Sequence, residues 1–511
     1  MLSSLLLATG APAADEITSL PGWSGALPSK WYSGYVNVTA SMDREMLVHY
    51  VYIESEGDAA HDPTILWTNG GPGASSMFGL LVELGPLILN ENSVSTPEFK
   101  KSGVPTLYRN DFGWSKLGGV LMFDWPPPVG FSYCDGKPAG DGNSCGPWDD
   151  ERMAKATYAA LAGWYEKFPE RKAADLYLTG ESYAGIYVPK LAQQILSHAD
   201  PAITAAFKGF AVGDGCLGTE TTMCGGEGGP WFHVLFLYGH GQVSNALFDG
   251  ILATCGMDYL KFGGKPPAGC PALLGRVAVE AGGYYDYNLY DDCIYQDDLR
   301  RRRLSTGRRS LAAIAAAAGT AADDGFTVEL ARRTVLPPTG RGYGAAVNDY
   351  VCGGGPAQDV WVNQSAVRAA LHVPTNSLFF SGDNGAGMTY VPTEKNLMPF
   401  YQHVAKNTSL RVLVYNGDTD PGLNSQRAEN WTAALGFEAT QSWRPWTMDN
   451  CLRVGGYVTR YEKDRFDFLT IRGSGHMVPQ FKPAQALEFL STWLHDKDYK
   501  PYVSKCTAPP K

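Results

Sequence analysis

The 511-residue chain is short of positive charge. Its 42 lysines and arginines are outnumbered by 52 aspartates and glutamates, giving a formal net charge of −10 and a pI of about 5.4. That balance argues against a polyanion-binding surface, so no nucleic-acid partner is expected. Long apolar runs are also lacking. Past the first residues no segment reaches the ~20 apolar residues of a membrane span, and the alanine-rich SLAAIAAAAGTAA at 310–322 is too short. Histidine is scarce: there are nine, and they do not cluster at ligand spacings. No two cysteines stand at CxxC spacing, which removes a common zinc-site signature. The glycine-rich GGPG at 70–73 lacks the Lys-Ser/Thr of a phosphate-cradling loop. No metal or organic cofactor is therefore expected, and no internal repeat is found.

Aromatic residues, by contrast, are plentiful at 12%, enough to furnish a large core. The length allows two to four domains, or one elaborated α/β domain. The opening MLSSLLLATGAPAADE has a short apolar run and a small-residue end, and reads as a signal peptide over 1–14, cleaved near Ala13 or Ala14. Its basic n-region is missing. Ten cysteines, an even number, and four N-x-S/T sequons at Asn37, Asn363, Asn407 and Asn430 point the same way. Together they predict passage through the secretory pathway, to the exterior or to a vacuole or lysosome.

From about residue 45 short apolar runs alternate with longer amphipathic ones. LVHYVYIES, TILWTNGG, GVLMFDWP, LYLTG and FKGFAVGDG read as strands that end in turn chemistry. DERMAKATYAALAGWYEKFPER and SYAGIYVPKLAQQILSHA have helical spacing. Such alternation predicts an α/β fold with a mostly parallel central sheet flanked by helices. The rhythm holds over 21–214, breaks over 215–345, and resumes over 346–500. The middle stretch is glycine-rich and carries a basic, alanine-rich segment over 300–342, a candidate for an exposed loop and for proteolytic processing. It is expected to be an inserted cap.

In LYLTGESYAGIYVPKLA, Ser182 stands where a strand turns sharply into a helix. Small neighbours suit such a strained turn, although Ala184 stands where glycine is usual. A serine needs a base to take its proton, and the base needs an acid to orient it. Both follow in the chain order of α/β-hydrolases. His476, in GSGHMVP, is flanked by glycine after a predicted strand. In YNGDTD, Asp418 and Asp420 both lie just past a strand, and spacing does not choose between them.

Five ordered motifs, WTNGGPGASSMFGLLVELGP, PPPVGFSY, LYLTGESYAGIYVPKLA, YNGDTD and IRGSGHMVP, together resemble the serine carboxypeptidases. These are secreted or vacuolar/lysosomal α/β-hydrolases active at acidic pH. The resemblance implies Ser182 as nucleophile, His476 as base and Asp420, rather than Asp418, as its orienter. It implies Gly71 and Tyr183 as backbone donors to an oxyanion. It implies that Asn69, Glu83 and Glu181, with Trp67 beside them, hold the free carboxylate of a peptide C-terminus. Two glutamates in contact cannot both ionise, so they are expected to share a proton in acid and to donate it to the substrate carboxylate. Peptide binding should then weaken as pH rises, while ester cleavage persists. A homodimer is also compatible with the resemblance.

Several residues depart from the family pattern. Ala74 replaces the usual cysteine of NGGPGxSS, so Cys352 needs another partner, and Cys293 is assigned to it. Asp124 stands for a common glutamate, Pro127 and Pro128 for small residues, and Asp214 for the asparagine of VGDG. Local pairing suggests the bridges Cys134–Cys145, Cys216–Cys224 and Cys255–Cys270, which leaves Cys451 with Cys506. The expected function is release of C-terminal amino acids at acidic pH through an acyl-enzyme on Ser182. Two alternatives stand beside it. An acyltransferase of the same superfamily is disfavoured by Asn69 and Glu181. A non-catalytic binding protein is disfavoured by the intact serine, histidine and aspartate.

Overall fold

The computed structural model describes residues 11–504 except 199, 226–227, 294–347, 383–384, 450, 452 and 464. The basic segment over 300–342 and Cys506 lie outside the described residues.

The central sheet takes its strands from both ends of the chain. In chain order they are β1 (Glu16–Ile17), β2 (Trp31–Asn37), β3 (Met46–Ile53), β4 (Thr64–Thr68), β5 (Gly119–Phe123), β6 (Leu176–Glu181), β7 (Phe207–Gly213), β8 (Arg411–Gly417), β9 (Ala439–Thr447), β10 (Val454–Tyr461) and β11 (Phe466–Ile471). Their spatial order is β1-β2-β3-β5-β4-β6-β7-β8-β11-β10-β9, with a two-residue strand at Tyr133–Cys134 beside β3. The six strands from β5 to β11 run parallel, and antiparallel strands close both edges.

The parallel strands are apolar at nearly every position because both faces are covered, and alternate side chains go to opposite faces. Leu176 and Leu178 of β6, with Val412 and Val414 of β8, join the core on one face. Tyr177, Leu413 and Tyr415 join the core on the other. Helices α1 (Asp150–Lys167) and α2 (Ala184–Ser197) cover the first face, with Trp164, Leu161 and Leu191 buried. Helix α1 begins where Asp149 accepts the Arg152 N–H, with Asp150 and Glu151 in its positive first turn.

Between β7 and β8 the chain leaves the sheet. Helices α3 (Trp231–Gly239), α4 (Asn245–Cys255), α5 (Met257–Phe262) and α6 (Cys270–Ala281) pack around a core of their own, which includes Leu237, Leu247, Ile251, Leu260 and Leu274. Among the described residues four disulfides join Cys134–Cys145, Cys216–Cys224, Cys255–Cys270 and Cys293–Cys352. These are the three local pairs and the rerouted one expected from the sequence. The pairing of Cys451 with Cys506 lies outside the described residues.

Candidate active site

Four adjacent parallel strands, β6, β7, β8 and β11, end at one edge of the sheet. The residues just past those ends are Ser182, Asp214, the Asp418–Asp420 turn and, after a short loop, His476. Register holds them level: Glu181 lies opposite Gly213, Gly213 opposite Tyr415, and Gly417 opposite Ile471. A crevice beyond the carboxyl ends of such strands is where α/β folds place their chemistry.

Ser182 adopts φ +64°, an uncommon conformation for a residue with a Cβ. The turn is held from three sides. Ser182 N–H donates to Gly213 O at 2.9 Å, while Ser182 O accepts from Gly185 N and Cys216 N, each at 2.9 Å. Gly70 allows the loop after β4 to lie against this turn. A Cβ there would sit 2.3 Å from Tyr183 N and 2.9 Å from Ser182 Cβ. The backbone of Gly70–Gly71 therefore borders the N–H of Tyr183 at the start of α2. Tyr183 is anchored through its phenol, which donates to Asp150 Oδ1 at 2.8 Å. Asp150 also accepts from Tyr390 and from the backbone of Thr393 and Glu394.

His476 and Asp420 meet. The Nδ1 of His476 lies 2.6 Å from Asp420 Oδ2, and Asp420 Oδ1 accepts from the backbone N–H of Gly422 and Leu423 at 2.8 and 3.2 Å. The imidazole is buried, and its Nε2 has no hydrogen-bond partner among the described residues. No bond to Ser182 Oγ is formed here. Such contacts commonly tighten only when substrate arrives. Asp418 turns away from the imidazole and accepts the Gly473 N–H at 2.6 Å. Burial pushes its carboxyl up to about 6. Geometry thus separates two aspartates that spacing left equal.

A second cluster lies beside the serine. Asn69 follows β4 and Glu181 ends β6, with Thr68 and Gly180 paired across the two strands. Glu83 comes from a single π-helical turn, Gly79–Glu83. Asn69 Oδ1 accepts from Trp67 Nε1 at 2.8 Å and from Gly79 N at 3.0 Å, which fixes the amide's orientation. Its Nδ2 then donates to Glu83 Oε1 at 2.9 Å and to Glu181 Oε1 at 3.0 Å. Both amide hydrogens are therefore engaged, a finding the sequence did not anticipate. The one amide thus brings the two carboxyls side by side. Burial pushes Glu83 up to about 7. Burial, with the Glu83 charge beside it, holds Glu181 well above the carboxylate range. No lysine or arginine forms an ion pair with either glutamate among the described residues.

The sequence of this chain matches the family described as serine carboxypeptidase over residues 21–496. The chain belongs to the serine carboxypeptidase family. It is 32% identical to the lysosomal protective protein of Mus musculus, covering 96% of this chain and 95% of the relative. It is 31% identical to serine carboxypeptidase 1 of Hordeum vulgare, covering 95% and 93%. Serine carboxypeptidase-like 21 of Arabidopsis thaliana is also 31% identical, covering 95% and 94%. The crystal structure of Kex1(delta)p, a prohormone-processing carboxypeptidase of Saccharomyces cerevisiae, superposes with a TM-score of 0.65 at 18% identity, covering 95% of this chain and 96% of that one. That likeness establishes the α/β-hydrolase fold. The protein is a serine-type carboxypeptidase, a hydrolase of peptides.

Three features of this carboxypeptidase were not legible as functional. Tyr287, in the segment between α6 and Cys293, accepts the backbone N–H of His476 through its carbonyl at 2.7 Å, and its ring lies 5.0 Å from the imidazole centroid. Nothing in the sequence of an inserted region signals such a contact. Asp124 is fully buried and braces the GGPG loop: it accepts from Ser75 Oγ at 2.5 Å and pairs with His49 Nδ1 at 2.8 Å. It is a strut beneath the site. Asp214, flagged only as a departure, comes within 4.8 Å of both Asp420 and His476 through its carboxylate oxygen. Among the described residues this trio alone has spacing that could hold a cation. It is the acid–imidazole pair itself with one further acid. All four sequon asparagines, Asn37, Asn363, Asn407 and Asn430, are exposed.

Proposed function

We propose that Ser182, His476 and Asp420 carry out the peptide cleavage, and that Asn69, Glu83 and Glu181 select the free chain end. His476 Nε2 takes the Ser182 proton as Oγ attacks the carbonyl of the last peptide bond. The backbone N–H groups of Gly71 and Tyr183 receive the developing oxyanion. The imidazolium then protonates the leaving amine, and the C-terminal amino acid departs. Water, deprotonated by the same imidazole, releases the acyl group from Ser182. Asp420 orients the ring throughout by holding Nδ1.

The observation that carries this assignment is the Asn69 amide bridging two buried glutamates, Glu83 and Glu181, the second of which directly precedes the serine. A lone buried carboxylate there would repel a peptide terminus. A proton-sharing pair can donate to it. Because both Asn69 hydrogens are already engaged, a bound carboxylate would exchange for one of the glutamate oxygens. Trp67 keeps the amide aimed while that happens.

The inserted helices would roof the cleft and set side-chain preference. The exposed sequons and closed disulfides support the secretory route, ending outside the cell or in a vacuole or lysosome. The test is a blocked dipeptide compared with its C-terminal amide from pH about 4 to about 8. The acid should be cleaved with a KM that climbs as pH rises, and the amide poorly at every pH. Equal cleavage of both with flat KM would refute the assignment.

A further inference from the structure

One buried acid remains without a role. Asp214 follows β7 in the left-handed region, at φ +41°, and is fully buried. Aspartate and asparagine are among the few residues with a Cβ that tolerate this conformation. Its backbone N–H donates to Tyr415 O at 2.8 Å. Its Oδ1 accepts from Asn416 Nδ2 and from Gly417 N, both at 3.1 Å, and Gly417 N also reaches Oδ2 at 3.2 Å. A carboxyl oxygen of Asp214 also lies within 4.8 Å of one of Asp420.

The surroundings decide its protonation state. Asp420 already accepts from His476 and from two backbone N–H groups. Glu181 on β6, with Glu83 beyond it, contributes further negative charge from one side. The buried Tyr415 phenol of β8 faces the same space and offers no positive charge. Arg427, on the helix Ser425–Ala434, acts on Asp420, and His476 lies beyond Asp420. No lysine or arginine pairs with Asp214 among the described residues. Two carboxylates this close at a buried position disfavour each other's ionised form. Burial and the Asp420 charge hold the Asp214 carboxyl well above its ordinary range.

We infer that Asp214 is a positioning residue for the catalytic step: in its acid form its O–H donates to the Asp420 carboxylate and keeps that carboxylate in line with His476. The inference rests on the reading of Ser182, His476 and Asp420 given above. No bond to substrate is involved. Loss of the Asp214 proton leaves two facing anions, which pushes Asp420 out of line and slows turnover. This enzyme therefore has two proton-sharing acid couples. Glu83–Glu181 governs peptide binding and Asp214–Asp420 governs turnover, so their effects separate into KM and kcat.

The test uses an N-blocked amino-acid nitrophenyl ester, which has no free carboxylate and does not engage Glu83–Glu181. Kinetics are followed from pH about 4.5 to about 8 for the full chain. In the wild type, kcat should fall about 10-fold or more toward the alkaline end, a departure specific to Asp214 from the persistent ester cleavage that the family resemblance implies. Asp214→Asn supplies an amide donor of the same shape that does not titrate. It should retain turnover at pH about 5 within a few-fold and hold that value to pH about 8. Asp214→Ala removes the donor and should lose about 10-fold or more at pH about 5. A thermal melt accompanies each variant, so an unfolded protein is not scored as a slow one. If Asp214→Asn follows the wild-type pH profile, or is as slow as Asp214→Ala in acid, the inference fails. Failure of the triad reading looks different: Ser182→Ala would then still turn over the ester.

Discussion

Two buried carboxyl couples lie at the same edge of one sheet, and they are wired differently. Glu83 and Glu181 each take one hydrogen bond from a single neutral amide, that of Asn69. Neither has a backbone donor, and Oε2 of each is buried without a partner among the described residues. Asp420 takes three donors, an imidazole N–H and two backbone N–H groups, while Asp214 beside it takes two. A carboxylate that collects several N–H donors can keep its charge in a dry site. Glu83 and Glu181 have only one amide between them, whereas in the other couple the proton sits with Asp214, the member with fewer donors. The difference suits the two tasks proposed above: one couple to meet an incoming anion, the other to hold an imidazole in line.

Removing the chemistry while leaving the grip intact breaks the comparison most sharply. Ser182→Ala should lower peptidase kcat by about 10⁴-fold or more while blocked-dipeptide affinity in acid stays unchanged. Asp420→Asn should cost about 10³- to 10⁴-fold, because the amide presents the wrong partner to Nδ1. Asp418→Asn, on the other side of the turn, should be close to neutral in kcat, and a steady-state comparison of the two checks this.

The substrate couple comes next. Glu181→Gln removes the titration while keeping a donor. The rise of KM with pH should disappear for peptides, a change of about 10-fold or more near neutrality. Ester kinetics should be untouched, and parallel assays on the two substrate types give the answer.

Stability should follow the same groups with smaller effect. Glu83, Glu181 and Asp214 all bind a proton more tightly folded than unfolded. Their contribution is complete below the unfolded carboxylate range. It is lost as pH rises through about 7, where Glu83 titrates, and beyond. Thermal melts should therefore show the highest Tm in mild acid and a fall toward alkaline pH, and Asp214→Asn with Glu181→Gln should flatten that fall. Least of all, Cys293→Ser with Cys352→Ser frees the segment that carries Tyr287 onto His476. A kcat loss of a few-fold with unchanged pH dependence of KM is expected.

The sheet was legible because each parallel strand is an apolar run closed by turn residues, as in LYLTGE and LRVLVYNGD. The chain order of Ser182, Asp420 and His476 was legible for the same reason, since each stands at such a closure. The antiparallel pair β9 and β10 was not. SWRPW carries a proline and an arginine on an edge, and partial exposure of that edge blurs the alternation. Spacing alone left Asp418 and Asp420 equal because both leave the same strand; the resemblance pointed to Asp420, and it is Asp420 whose Oδ2 lies 2.6 Å from His476 Nδ1. Asp214 was visible as an odd residue, yet its role depends on a neighbour more than two hundred positions away along the chain. The saturation of the Asn69 amide was equally hidden: it follows from Trp67 and Gly79 claiming its oxygen.

The central claim, that Glu83 and Glu181 lend a shared proton to the peptide's free end, is tested most directly by counting protons on binding. Calorimetric titration of Ser182→Ala with a blocked dipeptide, in buffers of different ionisation enthalpy at pH about 8, reports proton uptake per ligand. The account predicts uptake approaching one proton, vanishing in Ser182→Ala combined with Glu181→Gln. Tight binding at that pH with no uptake would contradict it.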